Sequence, residues 1–126
     1  MSHLPPDSPL IFDASEVNYG QRVIQASHEQ PILVDFWAAW CAPCLSLSPV
    51  LERVVGELEG LVRLAKVEVD DNMHLAGRYR LRGFPTVILL VNGEETGRFH
   101  GSRGTRWLRE WLEEHLGDSL KRAGSG

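Results

Sequence analysis

The sequence predicts an α/β protein with one domain, in which a mixed β-sheet has helices on both faces. Strand-like apolar segments alternate with helix-like segments along most of the chain, and a hairpin signal with a last amphipathic segment follows them. The predicted order is therefore βαβαβαββα. A length of 126 residues, with 43% hydrophobic and 24% charged residues, suits one ordinary globular domain.

The first strands are short and apolar. Residues 10–13 predict an opening strand, and Ser15 is a candidate N-cap for the helix that follows. The apolar positions of that helix are Val17, Val23, Ile24 and Ala26. Residues 31–37 are β-forming without alternation in polarity, which is typical of a strand buried on both faces. We expect this strand at the centre of the sheet.

The longest helix is predicted directly after the two cysteines. Its apolar positions recur at three- and four-residue steps and form one stripe. They are Leu47, Val50, Leu51, Val54, Val55 and Leu58. Pro49 lies inside this pattern and predicts a kink, and Gly60 ends the helix.

The second half ends in a hairpin and a helix. Residues 61–69 and 86–91 predict strands, and residues 72–79 predict a short helix between them. Asn92-Gly93 is a two-residue hairpin signal, which joins the strand at 86–91 antiparallel to one from about 95 to 101. A last amphipathic helix has an apolar face made of Trp107, Leu108, Trp111, Leu112 and Leu116.

The chain ends predict flexible tails at residues 1–9 and 117–126, around a domain at 10–116. The first residues lack the charged start and the apolar run of a secretory signal, and no segment is apolar for the length of a membrane span. We therefore expect a cytoplasmic protein without a membrane partner. Thirteen basic against seventeen acidic residues, a net charge of −4, argue against a nucleic-acid partner.

The chemistry is predicted at Cys41-Ala42-Pro43-Cys44, between a buried strand and a helix. Unpaired N–H groups and the helix dipole favour a thiolate at a helix N-terminus, so Cys41 is the expected nucleophile. Cys44 lies one turn further in, where we expect it to be more buried and to act as the resolving thiol.

Other interpretations of the two cysteines remain open at this point. A structural disulfide would close too short a loop to restrict the unfolded chain appreciably. A zinc site needs four ligands, and no second C-x-x-C or ligand-like histidine spacing is present, so we expect no metal. Two idle thiols in a reducing compartment are the third alternative. A C-x-x-C after a strand in a βα unit favours redox chemistry over all three.

Asp35 is the one charged residue within its apolar strand. It is either a carboxylate in water at a strand end or a buried one, and its neighbours favour burial. Because a buried carboxylate is costly unless it is paired or protonated, we expect Asp35 to serve the function.

The segment Val34-Asp-Phe-Trp-Ala-Ala-Trp-Cys-Ala-Pro-Cys44 resembles the active-site segment of thioredoxins, and the resemblance extends over about residues 10–116. The further matching positions are Pro49, Lys66, the segment Arg82-Gly-Phe-Pro-Thr86, Asn92-Gly93 and Gly101. Several ordered motifs at the family's spacing make the resemblance specific.

The resemblance implies the thioredoxin fold and a protein dithiol–disulfide oxidoreductase active in cell redox homeostasis. It implies that Asp35 helps to deprotonate Cys44 and that Lys66 tunes this step. It also implies that Pro85 is a cis-proline, so that the backbone around Phe84 and Pro85 is free to bind an extended substrate. An apolar contact surface is expected to add to this at Trp40, Ala42 and Pro43.

The resemblance further implies that no cofactor is bound and that electrons come from NADPH through a thioredoxin reductase. Expected partners are that reductase and proteins with disulfides, with the chain itself a monomer. Ala42 and Leu45 depart from the glycine and lysine usual in the family, which affects thiolate stabilisation and partner choice. Residues 11–15, together with residues 40–44, also resemble the N-terminal thioredoxin domain of bacterial thioredoxin–tetratricopeptide co-chaperones. The alternative is therefore a redox domain that binds unfolding clients.

Overall fold

A computed structural model describes residues 9–117, and the five strands within this range form one mixed sheet. The strands are β1 (Ile11–Asp13), β2 (Ile32–Trp37), β3 (Arg63–Glu68), β4 (Thr86–Val91) and β5 (Glu94–His100). Their order across the sheet is β1-β3-β2-β4-β5. The first three strands are mutually parallel, whereas β4 is antiparallel to β2 and β5 is antiparallel to β4. The predicted α/β class and mixed sheet are confirmed.

The central strand is β2, as predicted, with β3 and β4 as its hydrogen-bonded neighbours. Its first five residues are buried, including the one carboxylate among them. A continuous run of buried β-forming side chains requires a layer of other elements on each face of the sheet.

Three helices follow the sequence prediction closely. They are α1 (Ala42–Glu57), α2 (Met73–Arg78) and α3 (Thr105–Leu116). Pro49 lies inside α1, which is assigned as one continuous helix, and the predicted kink stays a prediction. Helices α1 and α3 share one apolar cluster with Leu33, Val87 and Leu89 of the sheet. Leu75 of α2 belongs to the cluster on the other face, with Val34 and Phe36, so helices cover both faces.

The first helical segment begins later than the sequence predicts. Residues Gly20–Gln25 form a turn of π-helix and Ala26–His28 a turn of 3-10 helix, and Val17 lies before both with 96% of its surface exposed. The side chain of Asn18 accepts a hydrogen bond from the Ser15 N–H at 2.8 Å. This local bond holds the chain in a turn where the sequence predicts the first helical residues.

The predicted hairpin is confirmed at Asn92 and Gly93, which both have positive φ, 53° and 79°. Two adjacent residues with positive φ are what a tight two-residue hairpin requires, and asparagine and glycine tolerate that conformation best. The hairpin returns the chain along β5, whose end lies beside the start of β4. Across this junction the Gly101 N–H donates to the Pro85 carbonyl at 3.0 Å.

Residues 1–8 and 118–126, which make up most of the two predicted tails, lie outside the described residues. The tails and the domain limits therefore stay predictions. Among the described residues, no helix is long and apolar enough to cross a membrane.

Candidate active site

The two cysteines lie where β2 ends and α1 begins. They form a disulfide with their Cα atoms 5.3 Å apart. Cys41 is the N-cap of α1, in extended backbone conformation, and its Sγ accepts a hydrogen bond from the Cys44 N–H at 3.2 Å. Pro43 occupies the first turn, where the N–H that proline lacks would have no partner within the helix. The sequence therefore builds a helix N-terminus directly around a sulfur atom.

Both cysteines are buried, Cys44 slightly more than Cys41. Cys41 retains 5% of its surface and Cys44 1%, and Cys44 lies inside the first turn of α1. This order of burial agrees with the expected difference between an attacking and a resolving thiol. The pairing also identifies the two cysteines as partners of one redox couple.

An apolar surface surrounds the disulfide. Trp40 is 66% exposed, and its ring meets the ring of Phe84 edge to face with centroids 6.1 Å apart. Ala42 and Pro43 are exposed beside it. The Phe84–Pro85 peptide bond is cis, which confirms that part of the expectation for Pro85. The Pro85 carbonyl is not free for a substrate, because it accepts the Gly101 N–H. Of the five residues predicted for substrate contact, Trp40 precedes Cys41, Ala42 and Pro43 lie between the cysteines, and Phe84 and Pro85 lie directly before β4.

The sequence did not reveal that this surface continues into a groove. The groove has a volume of about 350 Å³, and its lining includes Trp40, Asp70, Met73, Leu81 and Phe84. Asp70 accepts a hydrogen bond from the Trp40 indole Nε1 at 3.0 Å, which orients the ring. An exposed tryptophan next to a cysteine pair indicates that its N–H needs an acceptor, but not which residue provides one.

Asp35 is buried in β2 with 1% of its surface exposed. Neither carboxylate oxygen has a hydrogen-bond partner among residues 9–117. Burial raises the pKa of Asp35 from 3.8 to about 7, with a lowering influence from Lys66 and a raising one from Glu52. The expectation of a buried carboxylate is confirmed, and its pKa suits a group that exchanges protons near neutral pH.

Lys66 lies beside Asp35 in the pairing of β3 with β2, but its ammonium contacts α1. Its Nζ is 2.6 Å from Ser48 Oγ and 3.1 Å from Glu52 Oε2. The Ser48 hydroxyl in turn donates to Glu52 at 3.0 Å. Neither Ser48 nor Glu52 was predicted as a site residue from the sequence. Their spacing of four and eight residues from Cys44 places all three on one face of a helix, which is the signal that was available.

No group of three or more His, Cys, Asp or Glu side chains in the described part of the chain is arranged to hold a metal ion. The chemistry that these side chains can perform is exchange between a dithiol and a disulfide, beside a buried carboxyl with a raised pKa.

Comparisons with known proteins agree with this geometry. A family model described as thioredoxin matches residues 11–114. Thioredoxin 2 of Chlorobaculum tepidum is 36% identical over 84% of this chain and 95% of its own length. The thioredoxin of Chlorobaculum thiosulfatiphilum is 33% identical over 84% of this chain and 96% of its own. The thioredoxin of Rickettsia bellii is 33% identical over 85% of this chain and its whole own length.

Proposed function

Because this chain belongs to the thioredoxin family and is a thiol–disulfide oxidoreductase that reduces protein disulfides, we propose distinct roles for the residues of its site. Cys41 is the attacking thiol, Cys44 the resolving thiol and Asp35 the proton acceptor. The observation that supports these roles best is the position of Cys41 Sγ at the N-terminus of α1, with the Cys44 N–H directed at it. These matches favour the oxidoreductase over the co-chaperone alternative.

The first step is attack of the Cys41 thiolate on one sulfur of a substrate disulfide. A bond forms between Cys41 Sγ and that sulfur, the substrate S–S bond breaks, and the leaving thiolate takes a proton from water. The product is a mixed disulfide between substrate and Cys41. Helix N–H groups stabilise the attacking thiolate before this step.

The second step releases the substrate. The Cys44 thiol loses its proton through solvent to Asp35, and the thiolate attacks Cys41 Sγ. The mixed disulfide breaks, the Cys41–Cys44 disulfide forms, and the second substrate sulfur leaves as a thiolate that is then protonated. In total, two electrons and two protons pass from the two cysteines to the substrate.

Substrate contact is assigned to Trp40, Ala42 and Pro43 at the surface around the disulfide, and to the partly buried Phe84 and the buried Pro85 beside it. The exposure of the first three and the adjoining groove support this assignment. Apolar contacts and backbone hydrogen bonds discriminate weakly between sequences, so we expect the site to accept many extended segments.

The electron source is NADPH, through a flavin-containing thioredoxin reductase that reduces the Cys41–Cys44 disulfide after each cycle. The chain itself binds no cofactor in this scheme. We place it in the cytoplasm as a monomer that takes part in electron transport and redox homeostasis. Membership of the family supports the reductase and the disulfide substrates as partners.

The test is reduction of the insulin interchain disulfides, with NADPH oxidation recorded in the presence of a bacterial thioredoxin reductase. The parent protein should support steady turnover, and Cys41→Ser should abolish it. If Cys41→Ser kept the parent rate, the assigned roles would be wrong. The same assay with dithiothreitol instead of reductase separates failure of the reductase partnership from failure of disulfide reduction itself.

A further inference from the structure

The Lys66 ammonium is held on the helix side of the sheet. Its Nζ contacts Ser48 Oγ at 2.6 Å and Glu52 Oε2 at 3.1 Å, and the Lys66 side chain is only 19% exposed. The hydrogen bond from Ser48 to Glu52 closes a triangle of three polar groups. A partly buried ammonium with two such partners is less free to move than the ammonium of an exposed lysine.

Asp35 lies on the strand next to Lys66, at the paired position, and yet has no hydrogen bond or ion pair with it among the described residues. On the other neighbouring strand, β4, the residue paired with Asp35 is the apolar Val87. The charged groups that act on Asp35 are thus Lys66 from β3 and Glu52 from α1. A direct ion pair with Lys66 would keep the carboxylate ionised and unsuited to accept a proton near neutral pH.

Ser48 and Glu52 follow Cys44 by one and two helical turns, so all three lie along the same face of α1. The helix that presents the resolving thiol also binds the lysine next to the buried carboxyl. The position of the positive charge is therefore tied to the element on which the reaction takes place.

We propose that Ser48 and Glu52 are positioning residues that hold the Lys66 ammonium on α1, away from Asp35, and so keep Asp35 able to accept and release a proton in the resolving step. This inference rests on the proposed role of Asp35. It adds two residues that have no contact with substrate and act through Lys66.

Two substitutions test this proposal, and both are expected to lower the pKa of Asp35. Glu52→Gln removes a negative charge that disfavours ionisation of Asp35, and it also weakens the hold on Lys66, which can then approach Asp35. Both effects lower the pKa of Asp35, by about 0.5 to 1 unit together. Ser48→Ala removes one bond to Lys66 and no charge, so its shift has the same sign and is smaller.

The measurement is the titration of the Asp35 carboxyl carbon by NMR, in the oxidised 126-residue chain with labelled aspartate. Glu57→Gln is the matched control, because Glu57 lies on the same helix but binds Arg109 and Arg53. We expect the Asp35 midpoint to fall in Glu52→Gln and Ser48→Ala, and not in Glu57→Gln. If both test variants kept the parent midpoint, or raised it, the proposal would be overturned.

A second readout is the pH profile of the resolving step, measured by single-turnover release of substrate from the mixed disulfide. It should move to lower pH by the same amount as the Asp35 midpoint. A shift in the midpoint with an unchanged kinetic profile would instead overturn the role of Asp35, and this inference with it. The titration does not depend on activity, so the two failures are distinguishable.

Discussion

The backbone N–H of Cys44 donates to Sγ of Cys41 across 3.2 Å, at the first turn of α1. The same N–H is available to a thiolate when the disulfide is reduced, because it belongs to the unpaired donors of a helix N-terminus. Together with the helix dipole it favours negative charge on Cys41 and not on Cys44. This relationship underlies the order of attack.

Alkylation of the reduced protein is expected to follow that order. Limiting iodoacetamide near neutral pH should modify Cys41 first, by about tenfold or more over Cys44, because thiolates react and thiols do not. Peptide mass spectrometry after brief exposure identifies the labelled residue. Preferential labelling of Cys44 would reverse the two roles.

Leu45→Lys should increase the reactivity of Cys41. Leu45 is exposed one residue beyond the disulfide, and a cation there stabilises the thiolate, although solvent screening keeps the gain small. We expect the pH midpoint of alkylation to fall by about 0.2 to 0.5 unit. Leu45→Gln, which adds polarity without charge, is the control. An equal shift in that control would show that charge is not the cause.

Asp35→Asn should stabilise the oxidised protein at alkaline pH. The folded pKa of Asp35 is about 7 against an ordinary 3.8, so the folded state holds the proton more tightly than the unfolded state. The contribution of Asp35 to the free energy of unfolding is fully present below the pKa of the unfolded state. It is lost as the pH rises through the pKa of the folded state.

The free energy of unfolding of the parent, relative to Asp35→Asn, should therefore fall by about 4 kcal/mol between about pH 4 and pH 8. Urea denaturation of both proteins at several pH values measures this difference. A constant difference across that range would mean that Asp35 has the same proton affinity in both states.

The same substitution should slow the resolving step. Asparagine keeps the size and polarity of Asp35 but accepts no proton, so release of substrate near neutral pH should fall by about 10- to 100-fold. Single-turnover release from a preformed mixed disulfide isolates this step from the first attack. Unchanged rates between about pH 6 and pH 9, where ordinary thiols begin to titrate, would make Asp35 structural only.

The strands were predictable because their signals are local. The mostly apolar runs of β2 and β4 and the Asn92-Gly93 turn are each set by neighbouring residues, and the structure agrees with them within one or two residues. The start of the first helix was not predictable, because the Asn18 side chain accepts a hydrogen bond from the Ser15 N–H and so competes with helix formation. The N–H of Glu16 is also bound by Asn72, which is distant in sequence.

In the site, too, features set by neighbouring residues were predictable and contacts between distant residues were not. The cysteine pair, Asp35 and the turn at Pro85 were predictable from motif and burial pattern. The contacts of Asp70, Ser48 and Glu52 were not. Helical spacing places Ser48 and Glu52 on the same face of α1 as Cys44, but each of the three contacts a residue that is between 14 and 30 positions away along the chain. Such pairs depend on how helices lie on the sheet, which no short window of sequence contains.

The measurement that tests the central claim most directly is trapping of a substrate on single-cysteine variants. Reduced Cys44→Ser is mixed with a disulfide-containing protein and analysed by non-reducing electrophoresis, with Cys41→Ser as its matched control. We predict that Cys44→Ser accumulates a covalent complex, released by dithiothreitol, because Cys41 attacks and nothing resolves the bond. Cys41→Ser should form none. A complex with Cys41→Ser alone, or with neither variant, would contradict attack by Cys41.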